Sequence, residues 1–217
     1  MKILCIDTSS NLCSVAILQN TKLEKKIELN NGLTHSETLM PTIQELLNSC
    51  NLTLKDIDLL VCDIGPGSFT GLRIGISTVK AFSDSLNIPC IGVTSLETYA
   101  YSINQDGLIC STIDCKNNNC YFCLFERKSS IYSIVEEPNA TSVDDVLSLL
   151  KNKYYNKTIH FVGNCINCND FIDIENLGIV GYNKFIKNNK LGEDILPLYL
   201  KKPQAEIQLE KKTKTKI

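Results

Sequence analysis

Leu59-Leu60-Val61-Cys62-Asp63-Ile64-Gly65-Pro66-Gly67-Ser68-Phe69-Thr70-Gly71-Leu72-Arg73-Ile74-Gly75 runs from an apolar segment of strand length, through a glycine-rich turn, into a helical pattern. The apolar run is interrupted only by Asp63, which suits a strand covered on both faces. Ser68 is placed to cap the helix that follows, whose apolar stripe is Phe69, Leu72, Ile76, Val79 and Leu86. Such a turn favours an anion, because free N–H groups and the positive end of the helix dipole converge where glycines let a phosphate approach the backbone. Gly65, Gly67, Ser68 and Arg73 are therefore candidate nucleotide or anion contacts. Two known phosphate loops do not fit: Leu72-Arg73 stands where the P-loop requires Lys and a hydroxyl residue, and Thr70 where the dinucleotide loop needs a small one. A tight turn whose glycines serve packing alone is the competing reading.

Working outward toward the N-terminus, residues 2–29 read as three short strands, Ile3 to Asp7, Cys13 to Leu18 and Lys22 to Leu29, joined by turn-formers in an antiparallel meander. Thr34-His35-Ser36-Glu37 fits a capping box, and Leu39, Ile43, Leu46, Leu47 and Cys50 give the helix behind it an apolar stripe, with Pro41 expected to bend its first turns. Toward the C-terminus, Cys90 to Val93 is a strand, and Thr94 or Ser95 caps a helix through Leu96 and Tyr99. The order strand, strand, strand, helix, strand then begins again: strands at Leu108 to Ile113, Cys120 to Phe125 and Ile131 to Val135, a helix from Ser142 to Leu150, and a strand from Thr158 to Val162. Beyond it only Gly178 to Val180 offers a further, weak strand. The expectation is two α/β lobes with mixed sheets, residues 1–103 and a reduced 104–200, and a basic tail at 201–217.

Composition excludes several classes. With 217 residues, 43% hydrophobic and 21% charged, the chain has the makings of a soluble globular core. No apolar run approaches the roughly eighteen residues of a membrane helix, and Ile3 to Ile6 is too short for a signal peptide, so a cytoplasmic protein is expected. The net charge is −2; the tail, with six lysines against Glu206 and Glu210, carries +4 and leaves the first 200 residues at −6. An acidic body does not hold RNA by a global field, which leaves the tail as the one basic candidate. The eleven cysteines are odd in number and several sit in apolar runs, so packed, reduced thiols are expected. His35 and His160 are the only histidines, so no His-rich metal centre is assembled; Cys120-x-x-Cys123 and Cys165-x-x-Cys168 are the remaining candidates for zinc, against packed or exposed thiols as the expectation, since three-residue spacing in a strand points Cys120 and Cys123 to opposite faces.

Two features stay open on the residues alone. Gly71, Gly75 and Thr78 share one side of their helix, leaving a furrow almost without side chains. Either a helix of another chain fills it, or the helix bearing Leu39, Ile43 and Leu46 does. Asp7-Thr8-Ser9, at the end of the first strand, is either a hold for a metal-bound phosphate or a polar hairpin turn.

Ile6-Asp7-Thr8-Ser9, His35-Ser36-Glu37 with Leu39 and Pro41, the Gly65 to Gly75 segment, Gly92-Val93-Thr94-Ser95-Leu96-Glu97 and Leu198-Tyr199-Leu200-Lys201 together resemble the bacterial TsaB family of tRNA threonylcarbamoyladenosine biosynthesis proteins. The resemblance implies a duplicated actin-like ATPase (RNase H-like) fold. It also implies a non-catalytic subunit that pairs with a TsaD-like catalytic subunit and a TsaE-like ATPase to place threonylcarbamoyl on the adenosine beside the anticodon of certain tRNAs. The catalytic relative carries His-x-x-x-His on a helix, and Ser95 and Tyr99 stand in those places here, a pair that does not replace two imidazoles as metal ligands. In the family the helices beginning near His35 and after Gly67 dock the partner, or a second copy in its absence. That implication makes His35, Leu39, Ile43, Phe69, Gly71, Leu72, Gly75, Thr78 and Val79 the expected interface, with no cofactor of the chain's own and ATP or ADP at the junction. The sequence departs from the family at Asp114-Cys115-Lys116, where Asp-Ala-Arg is usual, and at Asn119, where Glu is common. An independent ATPase or kinase using Asp7 and the Gly65–Ser68 turn is the rival expectation, and an RNA-binding module built on the tail a third.

Overall fold

A computed structural model describes residues 1–30 and 32–201; most of the basic tail, 202–217, therefore lies outside the described residues. The first sheet contains β1 (Lys2–Asp7), β2 (Cys13–Gln19), β3 (Lys22–Leu29), β4 (Leu59–Asp63) and β5 (Cys90–Val93), in the order β3-β2-β1-β4-β5. β1 to β3 form the antiparallel meander, while β1, β4 and β5 run parallel and are joined by crossover helices. Those helices are α1 (His35–Ser49) between β3 and β4 and α2 (Phe69–Leu86) between β4 and β5. After α3 (Ser95–Ala100) the second sheet repeats the plan with β6 (Gly107–Asp114), β7 (Asn119–Lys128), β8 (Ile131–Ser142) and β9 (Ile159–Gly163) in the order β8-β7-β6-β9, α4 (Val143–Lys153) making its crossover. The architecture is the duplicated actin-like α/β fold, with a reduced second copy.

Alternation decides which residues enter which layer. Leu4, Ile6, Val15, Ile17, Leu60 and Cys62 face α1 and α2, while Ile3, Cys5, Ala16, Leu18, Leu59 and Val61 face the opposite side. That opposite face is covered by α5 (Ile174–Lys187), which corrects two expectations at once. Gly178 to Val180 is not a strand, because Ile174, Leu177, Gly178, Gly181 and Phe185 recur at helical spacing and are buried. Nor does this stretch belong to the second sheet. Gly178 lies against Leu18 and Cys5, and Gly181 against Val61, so the missing side chains let α5 lie directly on the first sheet. β8 is also longer than its Ile131 to Val135 core, since an edge strand tolerates Pro138 and the register shifts around Leu124. Cys120 and Cys123 do enter opposite layers of the second lobe. Among the described residues no helix is long and apolar enough to cross a membrane.

The furrow of α2 is filled from within the chain at Gly71 and Gly75, with the His35 ring of α1 beside Gly71, while Thr78 faces the groove next to α1. A Cβ on Gly71 would overlap the Thr8 carbonyl oxygen, and one on Gly75 the Thr8 hydroxyl, with Ile6 and Cys62 behind it. The end of β1 occupies the furrow, and Thr8 Oγ1 donates to the Gly71 carbonyl at 2.8 Å. Gly71 and Gly75 are thus internal packing residues. Leu39, Ile43, Leu72 and Val79, expected at the interface, are buried in the chain's own core beside them. Because the obstacle is backbone that cannot rotate away, Gly71→Ala is expected to destabilise the chain by at least about 2 kcal/mol in urea unfolding. Thr78→Ala, whose hydroxyl bonds only the Ile74 carbonyl of its own helix, should change stability by well under half of that.

Candidate functional site

The N-termini of α1 and α2 lie side by side, each held by a local device that the residues foretell. Thr34 N–H donates to Glu37 Oε2 at 3.0 Å, closing the capping box of α1, and Gly71 N–H donates to Ser68 Oγ at 3.2 Å at the start of α2. His35 Nε2 meets the Ser10 carbonyl at 2.7 Å, which ties α1 to the β1–β2 turn. Between the helices runs an open groove of about 550 Å³ floored by Leu39 and walled by Met40, Phe69, Arg73, Ile74 and Thr78. Of the expected interface, His35, Phe69 and Thr78 line this groove, with Leu39 as its buried floor. Met40, half exposed, and Ile74 supply apolar wall in place of the buried residues. Met40 is visible in the sequence as an apolar residue on the polar side of α1. The place of Tyr199 at the groove is not, although its ring stacks on Phe69 at 4.6 Å and its hydroxyl accepts from Arg73 Nε at 2.8 Å, because Arg73 and Tyr199 lie 126 residues apart.

The glycine-rich turn is packed from beneath. A Cβ on Gly67 would overlap the Ser9 carbonyl oxygen, and that same oxygen accepts the Ser68 N–H at 2.6 Å. The Gly65 N–H donates to Asp63 Oδ1 at 2.6 Å. The Gly65 and Ser68 N–H groups are thus occupied within the chain, and Arg73 donates to Tyr199. Gly67 makes the close backbone contact that the packing reading of the turn requires.

Two carboxylates close this region from below. Asp7 ends β1 and Asp63 ends the adjacent parallel β4, at 1% and 0% exposure. Asp7 Oδ1 accepts the Ser9 N–H at 2.7 Å; Asp63 Oδ1 accepts from Ser95 Oγ at 2.7 Å as well as from Gly65, while Asp63 Oδ2 has no hydrogen-bond partner among the described residues. Burial pushes Asp7 above the usual carboxylate range, against the pull of its bonds to Ser9. Asp63 is pushed well above that range, first by burial and then by the charge of Asp7. Ser95 thus serves as a donor that orients Asp63. Tyr99 donates from its hydroxyl to the Asp170 carbonyl at 3.3 Å, and burial pushes its phenol up. Tyr99 also lines a cleft of about 420 Å³ between the lobes, which Ser9, Gly67, Asp114, Lys116 and Asn164 border. Among the described residues no group of three or more His, Cys, Asp or Glu side chains is arranged to hold a metal ion.

The chain is similar to known proteins over most of its length. The family model described as "TsaD: tRNA N6-adenosine threonylcarbamoyltransferase" matches residues 30–174. The tRNA threonylcarbamoyladenosine biosynthesis protein TsaB of Bacillus subtilis is 32% identical over 183 residues, which cover 84% of this chain and 79% of that protein. This chain belongs to the TsaB family, within the reach of the TsaD family model. The TsaB of Escherichia coli is 33% identical over 130 residues, 58% of this chain and 56% of that one, so the match to it spans little more than half its length. The solved structure titled "YeaZ from Pseudomonas aeruginosa" superposes with a TM-score of 0.72 at 20% identity, covering 92% of this chain and 99% of that one, and so shares the fold. The TsaB-family motifs Asp7-Thr8-Ser9 and Gly65 to Gly75 are the two pieces that interlock at the end of β1.

The buried acids give a signed pH dependence. An unfolded Asp63 ionises near pH 4, whereas the folded site favours the protonated form, so folding must take up a proton or bury a charge once the pH rises past that value. The stability contribution is therefore full below about pH 4 and is lost as pH rises toward the folded value, with Asp7 and Asp63 titrating jointly. Asp63→Asn should raise the melting temperature by a few degrees at pH 7 and by nothing measurable near pH 4, as followed by scanning calorimetry.

Proposed function

We propose that this chain acts in tRNA threonylcarbamoyladenosine biosynthesis as a non-catalytic subunit, docking a TsaD-type catalytic subunit in the groove between α1 and α2. The observation that carries the reading is the groove itself: Met40, Phe69 and Ile74 leave an apolar wall beside the starts of two helices on the outside of the first lobe. The relatives in Bacillus subtilis and Escherichia coli are named as biosynthesis proteins for this modification, which supports the pathway. Ser95 and Tyr99 occupy the places of the catalytic relative's two histidines and are engaged by Asp63 and the Asp170 carbonyl, which supports a role without metal chemistry. A TsaE-like ATPase completes the assembly, tRNA is met through the complex, ATP or ADP sits at the junction of the two subunits, and a second copy takes the groove when the partner is missing. The rival reading as an independent ATPase has less support, since Asp7 is buried and bonded to Ser9, and the Ser68 N–H is bonded to the Ser9 carbonyl.

Met40→Glu places a charge on the groove wall at a position whose side chain is half exposed, so the fold should tolerate it. Co-expressed with the TsaD-type subunit, the parent chain is expected to co-elute with it in size-exclusion chromatography, and the Met40→Glu chain to elute alone with an unchanged melting temperature. Co-elution of the variant at parental stoichiometry refutes the docking site.

A further inference from the structure

The groove carries a feature that apolar docking does not need. Arg73 is exposed at its rim, yet its guanidinium is fixed on two sides: Cζ lies 3.9 Å over the centre of the Phe69 ring, and Nε donates to Tyr199 Oη at 2.8 Å. Phe69 and Tyr199 stack on each other at 4.6 Å with 25° between their planes, which holds the platform rigid. Tyr199 is itself fixed by the chain before it, where the Leu198 N–H donates to the Ile64 carbonyl at 2.7 Å, and by Leu200, which packs into the core between α3 and the second sheet. The stack and the Nε bond leave the two terminal nitrogens of Arg73, and their four N–H groups, with no acceptor among the described residues.

Among the described residues lining the groove, Arg73 is also the one formally charged side chain; the others are apolar or hydroxyl-bearing, with His35 at one end. An occupant that is apolar throughout would strip water from the guanidinium and return nothing, and a basic one would be repelled. A carboxylate would meet a planar two-pronged donor whose side-chain freedom is already lost to the Phe69–Tyr199 stack, so little further ordering is required on binding. The groove extends along two helices and is apolar over most of its wall, a shape that fits a helix and exceeds what a compact phosphate fills. We propose that Arg73 sets the specificity of the groove by capturing a carboxylate presented on the otherwise apolar helix of a partner protein. The proposal rests on the docking reading above and names the chemistry that the partner must offer.

The test measures affinity for the purified TsaD-type subunit by titration calorimetry at about 50 mM and about 300 mM NaCl, where screening of an ion pair differs. Arg73→Met is expected to weaken binding by about tenfold or more at low salt and to flatten the salt dependence. Arg73→Lys should restore the salt dependence but only part of the affinity, because a point charge replaces the planar fork. Met40→Glu abolishes binding at both salts if the groove is the docking site at all. Arg73→Met binding as the parent does, with the parent's salt dependence, while Met40→Glu fails to bind, overturns the role of Arg73 and leaves docking intact. Parental binding by Met40→Glu overturns both. If Tyr199→Phe, which keeps the charge and the ring, reproduces the whole loss of Arg73→Met, the arginine only clamps the C-terminal segment and the proposal falls. It also falls if the Arg73→Met defect appears only when ADP is added, which assigns the guanidinium to a phosphate, or appears only in self-association by sedimentation, which assigns it to a second copy.

Discussion

The close approach of α2 to the end of β1 is the constraint on which the rest depends. At Gly71 and Gly75 the helix comes near enough for the Thr8 backbone and hydroxyl to occupy the space of two side chains, and at Gly67 the preceding turn rests on the Ser9 carbonyl. Contacts of this kind are made between backbones, so they cannot be relieved by a change of rotamer, and they fix the height and rotation of α2 over the sheet. The rotation has a consequence on the far side of the helix. With Gly71, Leu72, Gly75 and Val79 turned inward, Thr70, Arg73, Ile74 and Ser77 must turn outward toward the groove beside α1.

The same junction explains why two carboxylates tolerate burial. Asp7 and Asp63 end neighbouring parallel strands where the chain leaves the sheet, so each finds a backbone N–H two residues on, Ser9 for one and Gly65 for the other. Those bonds shape both turns, while the unpartnered Asp63 Oδ2 is a local conflict between the shaping of the Gly65 turn and the dislike of a buried charge for its surroundings. The lobe accepts that conflict at the cleft edge, where Ser95 from the start of α3 satisfies the remaining acceptor on Oδ1.

The C-terminal part of the described chain links regions that the repeat keeps apart. α5 covers the open face of the first sheet, the Glu193 N–H then pairs with the edge of β5 through the Cys90 carbonyl, and Leu198 to Lys201 runs past α2 to the second lobe. A segment that follows the second lobe in sequence therefore completes the first, and it places Tyr199 at the rim of the groove between α1 and α2. A shortened second copy is compatible with a stable chain because the helix after it packs on the sheet of the other lobe.

The sequence by itself determined the order of strands and helices as far as β9, the capped starts of α1 and α2, the repeat of topology, the opposite orientation of Cys120 and Cys123, and the family, through the Asp7 and Gly65 to Gly75 motifs. These are properties of local periodicity and turn chemistry, which neighbouring residues impose on one another. Only the tertiary structure decided which surface the glycine side of α2 meets, because spacing shows that small residues share a face and is silent about what lies against it. It likewise decided that Gly178 to Val180 is helical and lies on the first sheet, and that Arg73 finds Tyr199, since both follow from contacts between segments far apart in the chain, whose partners are chosen by burial and shape and leave no local period to read.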